Sequence, residues 1–184
     1  MTSGLQSDSH RAAPLSRIVL TGFMGSGKTT VGPIIAQRLG WKFIDVDDVI
    51  EAESGARITE IFAREGEEAF RNREHATIAR LTGMDDLVIA LGGGAIEREE
   101  TRQMLLKSPG TFLAHLEVAL ETTLARCSGT ESTRPVLADK ANLAARYQHR
   151  LPLYRIAHAS IAVDTLTPAK VAEAVLAASR RVCS

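Results

Sequence analysis

The segment Gly22–Thr29, GFMGSGKT, has the residue types that bind the phosphates of a nucleotide. It matches the pattern G-x-x-x-x-G-K-[ST], in which glycines allow backbone N–H groups to approach a phosphate closely. Lys28 is placed to reach the β and γ oxygens, and the Thr29 hydroxyl is placed to bind Mg²⁺. A chance glycine-rich turn is the alternative, but the specified positions between a strand-like and a helix-like segment argue against it. The pattern does not identify the group that receives the phosphate.

Three aspartates, Asp45, Asp47 and Asp48, stand at the end of the second strand-like segment. Asp48, with Glu51 three residues later, fits a capping box at the start of a helix. This interpretation leaves Asp45 and Asp47 without a structural role, and alternate residues of an extended chain point the same way. We expect one carboxylate to hold Mg²⁺ and the other to orient a substrate hydroxyl. Helix capping is the alternative for both.

Arg150 lies on the apolar stripe of a helix-like segment, NLAARYQHRLPLY. The residues that define this stripe are Leu143, Tyr147 and Tyr154. An arginine on such a face is rarely buried without a partner. A bound anion and a salt bridge to a neighbouring carboxylate both explain the position, and the sequence does not decide between them.

Two further arginines stand in polar segments. Arg71 follows Phe70 at the edge of an apolar helix face and fits a surface network. Its candidate partners at helical spacing are Glu67, Glu68 and His75. Arg134 lies in the polar loop 128–139, SGTESTRPVLAD. A loop arginine is either solvated or carried by a mobile lid that closes on a phosphate during transfer.

Residues 89–97 read IALGGGAIE, with Gly92, Gly93 and Gly94 in succession after an apolar run. Glycine loses the most backbone freedom on folding, so a triplet is costly unless something must approach the backbone closely. The triplet ends a predicted strand, and open α/β sheets bind ligands at the carboxyl ends of their strands. We therefore expect a small ligand to lie against this backbone.

These segments lie in a chain that alternates strand-like and helix-like stretches. Strands are predicted at 17–21, 43–45, 87–91, 111–116 and 161–163. Helices are predicted at 29–39, 48–54, 58–63, 67–81, 99–106, 120–126, 142–156 (interrupted by Pro152) and 168–180. Together with the glycine-rich motif, the alternation predicts a three-layer α/β/α fold of the P-loop NTPase type. The sheet is expected to be mostly parallel and five-stranded, with a mobile lid and a substrate-binding helical region.

Composition restricts the remaining possibilities. The 184 residues, 45% hydrophobic and 24% charged, suit one domain at 16–184 after a disordered tail at 1–15. Net charge is zero, so we expect neither nucleic acid nor a membrane as partner. No apolar run reaches the length of a membrane span, and the N-terminus lacks the apolar stretch of a signal peptide. Cys127 and Cys183 show no metal spacing and favour a reducing compartment. We expect a cytoplasmic monomer.

The motifs GFMGSGKTT, DVD, EEAFR, LGGGA, TRPVL and RLPLYR follow one another in this order. Together they resemble the shikimate kinases, small P-loop kinases of aromatic amino acid biosynthesis. The resemblance covers about residues 16–180. The P-loop alone is generic, whereas the ordered set is specific.

The resemblance implies a role for each matching residue. ATP would be bound by Gly25, Ser26, Gly27, Lys28, Thr29 and Thr30, with Arg126 packed on adenine and Arg134 reaching the phosphates from the lid at about 128–139. Mg²⁺ would lie at Thr29 and Asp45. Shikimate would be bound by Asp47, Arg71, Gly92, Gly93, Gly94 and Arg150, with the arginines on its carboxylate. The catalytic residues would be Asp47, as base for the 3-hydroxyl, Lys28 and Arg134.

Two other functions remain as alternatives. A related P-loop kinase could act on another small polyol acid, such as gluconate. A non-catalytic nucleotide-binding module would bind ATP without acceptor-dependent turnover. The resemblance favours shikimate over gluconate, because the sequence contains both LGGGA and two well-separated arginines for a carboxylate.

Overall fold

The structure, a computed structural model, describes residues 13–127 and 140–182. Within these ranges the strands are Arg17–Thr21 (β1), Lys42–Asp45 (β2), Leu87–Ala90 (β3), Thr111–Glu117 (β4) and Ala159–Ala162 (β5). The α-helices are Lys28–Leu39 (α1), Val46–Ser54 (α2), Ile58–Leu81 (α3), Glu99–Lys107 (α4), Leu120–Cys127 (α5), Lys140–Tyr154 (α6) and Pro168–Val182 (α7). A short 3₁₀ turn, Ala95–Glu97, precedes α4.

The strands form one sheet in the order β2-β3-β1-β4-β5, and each pairing in the described chain is parallel. The central strand β1 is buried along its whole length, and the helices α1 and α7 pack against each other beside the sheet. The predicted α/β fold with a parallel five-stranded sheet is confirmed. Because all strands run the same way, the segments that follow β1, β2 and β3 meet at one edge.

Helix α1 begins and ends at glycines. Gly27 and Gly40 both adopt left-handed backbone conformations, with φ of 89° and 71°. An L side chain rarely adopts this conformation, so glycine at each position lets the chain turn sharply into and out of the helix. The predicted helix at 29–39 is confirmed, with its first turn starting one residue earlier.

The predicted capping box of Asp48 and Glu51 is wrong. Helix α2 starts at Val46, and Asp45 is its N-cap, since the Asp45 carboxylate accepts a hydrogen bond from the Asp47 N–H at 2.9 Å. Asp45 ends β2 in an extended conformation, and its short side chain reaches the free N–H two residues ahead. Glu51 instead accepts a hydrogen bond from the backbone N–H of Ile58 at 2.9 Å.

Two helix breaks were predicted, and one is present. Gly66, with φ 84° and ψ 171°, interrupts α3 as expected between 58–63 and 67–81. The expected interruption at Pro152 is wrong, because α6 continues through it to Tyr154. The exposed Pro152 lacks the backbone N–H that would form one hydrogen bond near the helix end. The buried Tyr147 and Tyr154 keep the helix packed against the core.

The described chain starts before β1. Leu15, placed in the predicted tail, is partly buried against the core, and the Ser16 N–H donates to the Gly110 carbonyl oxygen at 2.8 Å. The predicted lid at 128–139 and most of the predicted tail lie outside the described residues. Among the helices of the described chain, none is both long and apolar enough to cross a membrane.

Candidate active site

The glycine-rich loop connects β1 to α1 as the motif predicts. Gly22, Gly25 and Gly27 have φ of 147°, 74° and 89°, a region that other residues rarely adopt. The ammonium group of Lys28 donates hydrogen bonds to the carbonyl oxygens of Gly22 at 2.8 Å and Phe23 at 3.2 Å. The backbone of the loop thus surrounds the Lys28 ammonium group, in a conformation suited to bind a phosphate.

A cavity of about 700 Å³ opens at the carboxyl edge of the sheet. Most of the predicted site residues line it: Gly25, Ser26, Gly27, Lys28, Thr29, Thr30, Asp45, Asp47, Gly92, Gly93, Arg126 and Arg150. Arg71 and Gly94 lie behind this lining, and Arg134 lies outside the described residues. The volume suits a small-molecule site.

Asp45 and Asp47 both face the cavity, although the reason differs from the one predicted. They are not alternate residues of one strand, because Asp45 caps α2 and Asp47 lies in its first turn. Burial raises the pKa of both carboxyls, that of Asp47 to about 6, and the charge of Asp45 adds to the shift at Asp47. Within the described chain, the buried Asp47 Oδ1 has no hydrogen-bond partner. It is therefore a buried, unpaired acceptor beside the glycine triplet.

Glu74 is a site residue that the sequence analysis missed. Its carboxylate is buried and accepts a hydrogen bond from Arg71 Nη1 at 2.7 Å. Burial raises its pKa to about 7, and its Oε1 has no hydrogen-bond partner in the described chain. The signal was present: Glu74 shares helical spacing with Phe70, Ile78 and Leu81, so it is a charge on an apolar stripe, as Arg150 is.

Arg150 is buried and paired with Glu97, a residue that the sequence analysis did not consider. Its Nε and Nη2 donate to the two carboxylate oxygens of Glu97, each at 3.1 Å. Burial alone would raise the pKa of Glu97, but the hydrogen bonds and charge of Arg150 outweigh it and lower the pKa. One of the two explanations left open for Arg150, a salt bridge to a neighbouring carboxylate, is therefore confirmed.

Arg71 joins the same cluster. Its Nη2 lies 3.2 Å from Glu67 and 3.7 Å from Glu97, so the expected contact with Glu67 is confirmed. The expected contact with His75 is not formed, since His75 Nδ1 lies 2.8 Å from the Thr101 hydroxyl. Arg71 and Arg150 therefore converge on one carboxylate, although they are far apart in the sequence.

The glycine triplet is explained mainly by protein side chains. A Cβ at Gly94 would lie 2.2 Å from Arg71 Nη2, and a Cβ at Gly92 would lie 2.8 Å from both Asp47 Oδ1 and Glu74 Oε1. Gly93 has more space, with Arg150 Nη1 at 3.5 Å and the Tyr154 hydroxyl at 3.6 Å from the Cβ position. The triplet therefore leaves room for the Arg71 guanidinium and for the carboxylates of Asp47 and Glu74.

Arg126 lies at the opposite end of the cavity. Its guanidinium donates to the carbonyl oxygens of Gly25 at 3.0 Å and Val163 at 3.2 Å, and so connects the P-loop to the chain after β5. Leu166 and Pro168 line the cavity nearby. This end offers an exposed guanidinium and apolar side chains, a surface on which a planar base can stack.

The cavity thus joins, on one sheet edge, a glycine-rich phosphate cradle to a second compartment that is lined by Asp47, Gly92, Gly93 and Arg150. The position of the cradle, between a buried strand and a helix, is the one that binds nucleotide phosphates. Fold and site together define a P-loop phosphotransferase.

Comparison with known proteins identifies the family. A family model for shikimate kinase matches residues 24–180. A shikimate kinase from Moorella thermoacetica is 42% identical over 160 residues, covering 86% of this chain and 91% of that protein. One from Salinibacter ruber is 40% identical over 159 residues, covering 80% and 77%. The chain belongs to the shikimate kinase family.

Solved structures agree with this assignment. A shikimate kinase from Acinetobacter baumannii, solved in complex with shikimate, superposes with a TM-score of 0.82 at 37% identity. The match covers 88% of this chain and 91% of that one. The enzyme class is therefore a phosphotransferase with an alcohol group as acceptor, as the sequence predicted.

Proposed function

We propose that the chain transfers the γ-phosphoryl group of ATP to the 3-hydroxyl of shikimate, giving shikimate 3-phosphate and ADP, and that the residues predicted from the sequence carry out this reaction. The observation that supports these roles best is the single cavity that brings Lys28, Asp47 and Arg150 together. A donor cradle and an acceptor compartment that share a wall can hold two substrates in line, which supplies most of the catalysis of phosphoryl transfer.

The donor compartment is proposed to hold ATP through residues 25–30. Lys28 would exchange its contacts with the Gly22 and Phe23 carbonyl oxygens for phosphate oxygens, which are stronger acceptors because they are charged. Arg126 would stack on adenine at the apolar end of the cavity. Arg134 keeps its proposed role as the lid residue that stabilises transition-state charge and helps to exclude water.

Mg²⁺ is proposed to lie between Thr29 and Asp45. Both residues line the phosphate side of the cavity and offer oxygen atoms, the ligands that Mg²⁺ prefers. Two protein ligands suit Mg²⁺, since this ion keeps several waters and binds substrate phosphates. When bound, the ion would neutralise charge on the phosphates.

The acceptor compartment is proposed to bind shikimate through Arg71, Arg150 and the triplet Gly92–Gly94. The two guanidinium groups would bind the carboxylate, and the glycine backbone would make room for the ring. Asp47 would accept the proton of the 3-hydroxyl as its oxygen bonds to the γ-phosphorus and the bond to the β-phosphate bridging oxygen breaks. The unpartnered Asp47 Oδ1 supports this role.

Further features of the whole protein are also proposals. We propose one catalytic domain over 16–184, with Leu15 packed against its core. We also propose that the enzyme acts as a cytoplasmic monomer without nucleic-acid or membrane partners. The zero net charge supports the last of these proposals, because it gives no overall field that would attract nucleic acid or an anionic membrane.

The test is acceptor-dependent ADP release with shikimate and with gluconate, for the native chain and Arg71→Lys. We expect turnover with shikimate, and a rise in the shikimate KM of roughly tenfold or more for Arg71→Lys, because lysine cannot form a forked pair. ADP release without any dependence on shikimate would contradict the proposal. A rise in the ATP KM alone would place Arg71 at the wrong substrate.

A further inference from the structure

The Glu97 carboxylate lies between the two arginines proposed to bind the acceptor. Arg150 holds it by Nε and Nη2, with both donor–acceptor distances 3.1 Å, and Arg71 Nη2 lies 3.7 Å from its Oε2. A carboxylate flanked by two guanidinium groups is also the arrangement proposed for the carboxylate of shikimate. Glu97 therefore presents the same chemical group to the same pair of donors.

The forked edge of Arg150 serves only one carboxylate at a time. Its Nε and Nη2 both donate to Glu97. The Arg150 side chain is only 7% exposed, so it has little freedom to turn another edge toward a ligand. A bound acid can form a forked pair with the Nε–Nη2 edge only after Glu97 leaves it. Nη1 lies toward Gly93, 3.5 Å from the position of a Cβ there.

Charge balance leads to the same conclusion. The two guanidinium groups of the cluster lie within 4.0 Å of three carboxylates, those of Glu67, Glu74 and Glu97. An acidic acceptor adds a fourth negative charge to a site already balanced or negative, which is costly at a half-buried position. The acidic acceptor therefore binds more favourably if one of these three carboxylates moves away from the arginines.

Glu97 is the carboxylate best placed to leave. Glu67, 64% exposed, pairs with Arg71, whereas the fork of Arg150 is held by Glu97. The Glu74 side chain is only 3% exposed, and that of Glu97 is 28% exposed. Glu97 ends the short 3₁₀ turn Ala95–Glu97, directly after the glycine triplet, and His149 Nε2 lies 3.9 Å from its Oε1 on the exposed side. Rotation of one side chain therefore carries the charge from the arginine pair toward solvent.

We infer that Glu97 determines acceptor specificity: its carboxylate closes the arginine pair in the free enzyme and is displaced by the carboxylate of the acceptor. This inference rests on the proposed function, because it requires that Arg71 and Arg150 bind that group. A neutral polyol cannot replace the displaced charge and would leave the buried Arg150 unpaired. Glu97 thus favours acidic acceptors over neutral ones. It also lowers the apparent affinity for acids, because only the fraction of molecules in which Glu97 has left the two arginines can bind them.

The test measures dissociation constants for shikimate, its uncharged methyl ester and ADP by calorimetry, in the native enzyme and in Glu97→Gln. We expect shikimate to bind about tenfold more tightly to Glu97→Gln, as for a site that Glu97 leaves free about one tenth of the time. The ester should gain clearly less, and ADP should be unaffected. The matched control is Glu100→Gln, an exposed carboxylate that pairs with Arg98 outside the site and should change nothing.

Unchanged or weaker shikimate binding in Glu97→Gln would overturn the inference and make Glu97 a positioning residue for Arg150. An equal gain for the ester would also overturn it. If Glu97→Gln fails to fold, Glu97→Asp, which shortens the side chain but retains the charge, should give a gain in the same direction. Arg71→Lys, measured in parallel, separates the two proposals: if it leaves shikimate binding intact, the proposed function and this inference both fail, whereas weaker binding with no gain from Glu97→Gln refutes the inference alone.

Discussion

At the scale of single residues, the site contains carboxyl groups whose charged form is destabilised by burial. Burial raises the pKa of Asp47 to about 6 and that of Glu74 to about 7, from ordinary values of 3.8 and 4.5. Because the folded pKa values are raised, each group contributes stability that is present below its unfolded pKa. That stability is lost as pH rises through the folded value. The free energy of unfolding therefore falls between about pH 4 and 7, the range from the ordinary pKa values of the two groups to their folded values.

Asp47→Asn is expected to reduce kcat by roughly a hundredfold or more, because a positioned base commonly contributes that much. Native kcat/KM for shikimate should fall as pH drops below about 6, since the Asp47 carboxyl becomes protonated there and can no longer accept a proton. ATP affinity should change little. Steady-state kinetics between pH 5 and 9 measure both effects.

The control for this prediction is Asp48→Asn. Asp48 is exposed in the same helix turn and does not line the cavity. Its replacement should leave kcat near the native value. Native-like turnover in Asp47→Asn would remove Asp47 from the chemistry, and an acid limb that persists in the variant would assign the limb to another group.

At the scale of elements, the turns between strands and helices bring the site residues together. The chain after β3 passes so close to α3 and α6 that Gly94 meets Arg71, while the Gly93 carbonyl oxygen accepts a hydrogen bond from the Tyr154 hydroxyl at 2.5 Å. The triplet therefore fixes the distance between its turn and two helices. Its proposed role in acceptor binding would follow from this spacing, because a side chain at Gly94 would displace the Arg71 guanidinium.

Gly94→Ala is expected to raise the shikimate KM by about tenfold or more and to leave ADP binding nearly unchanged, since its Cβ would lie 2.2 Å from Arg71 Nη2. Because the effect acts through Arg71, the double variant with Arg71→Lys should be little worse than either single variant.

Gly93→Ala should also weaken shikimate binding, as its methyl group would enter the cavity wall. Gly83→Ala, at an exposed glycine beyond α3, is the control. Additive losses of shikimate affinity in the double variant of Gly94→Ala and Arg71→Lys would show that Gly94 does not act through Arg71.

At the scale of the whole molecule, the strand order decides which segments meet. β1 lies at the centre between β3 and β4, so the P-loop that follows it is flanked by the triplet after β3 and by the residues after β4. β2 lies next to β3, which brings Asp45 opposite Ala90 and therefore close to the triplet. The crossover helix α1 must lie close to β2 for this edge to form, and Gly32 packs against the ring of Phe43.

Gly32→Ala is expected to lower the free energy of unfolding by about 1–3 kcal/mol, because a methyl group added to a filled contact forces atoms apart. The Cβ would lie 2.2 Å from Phe43 Cε2. Denaturant unfolding of the native chain and the variant measures the difference. Gln37→Ala, at an exposed position of the same helix, should change stability by less than about 0.5 kcal/mol. Equal stability for Gly32→Ala would mean that the interface between α1 and β2 relaxes without cost.

The sequence by itself determined the P-loop, the alternation of strands and helices, the parallel sheet and the family, because these depend on short motifs and on local periodicity. It also identified Arg150 as a charge on a buried stripe. Only the tertiary structure decided which carboxylates face Arg71 and Arg150, that Asp45 caps a helix, and which glycine of the triplet has no room for a side chain. Glu97 and Arg150 are 53 residues apart, and nothing in local spacing relates them. Pairing across the chain depends on strand order and helix packing, which arise only when the core is complete.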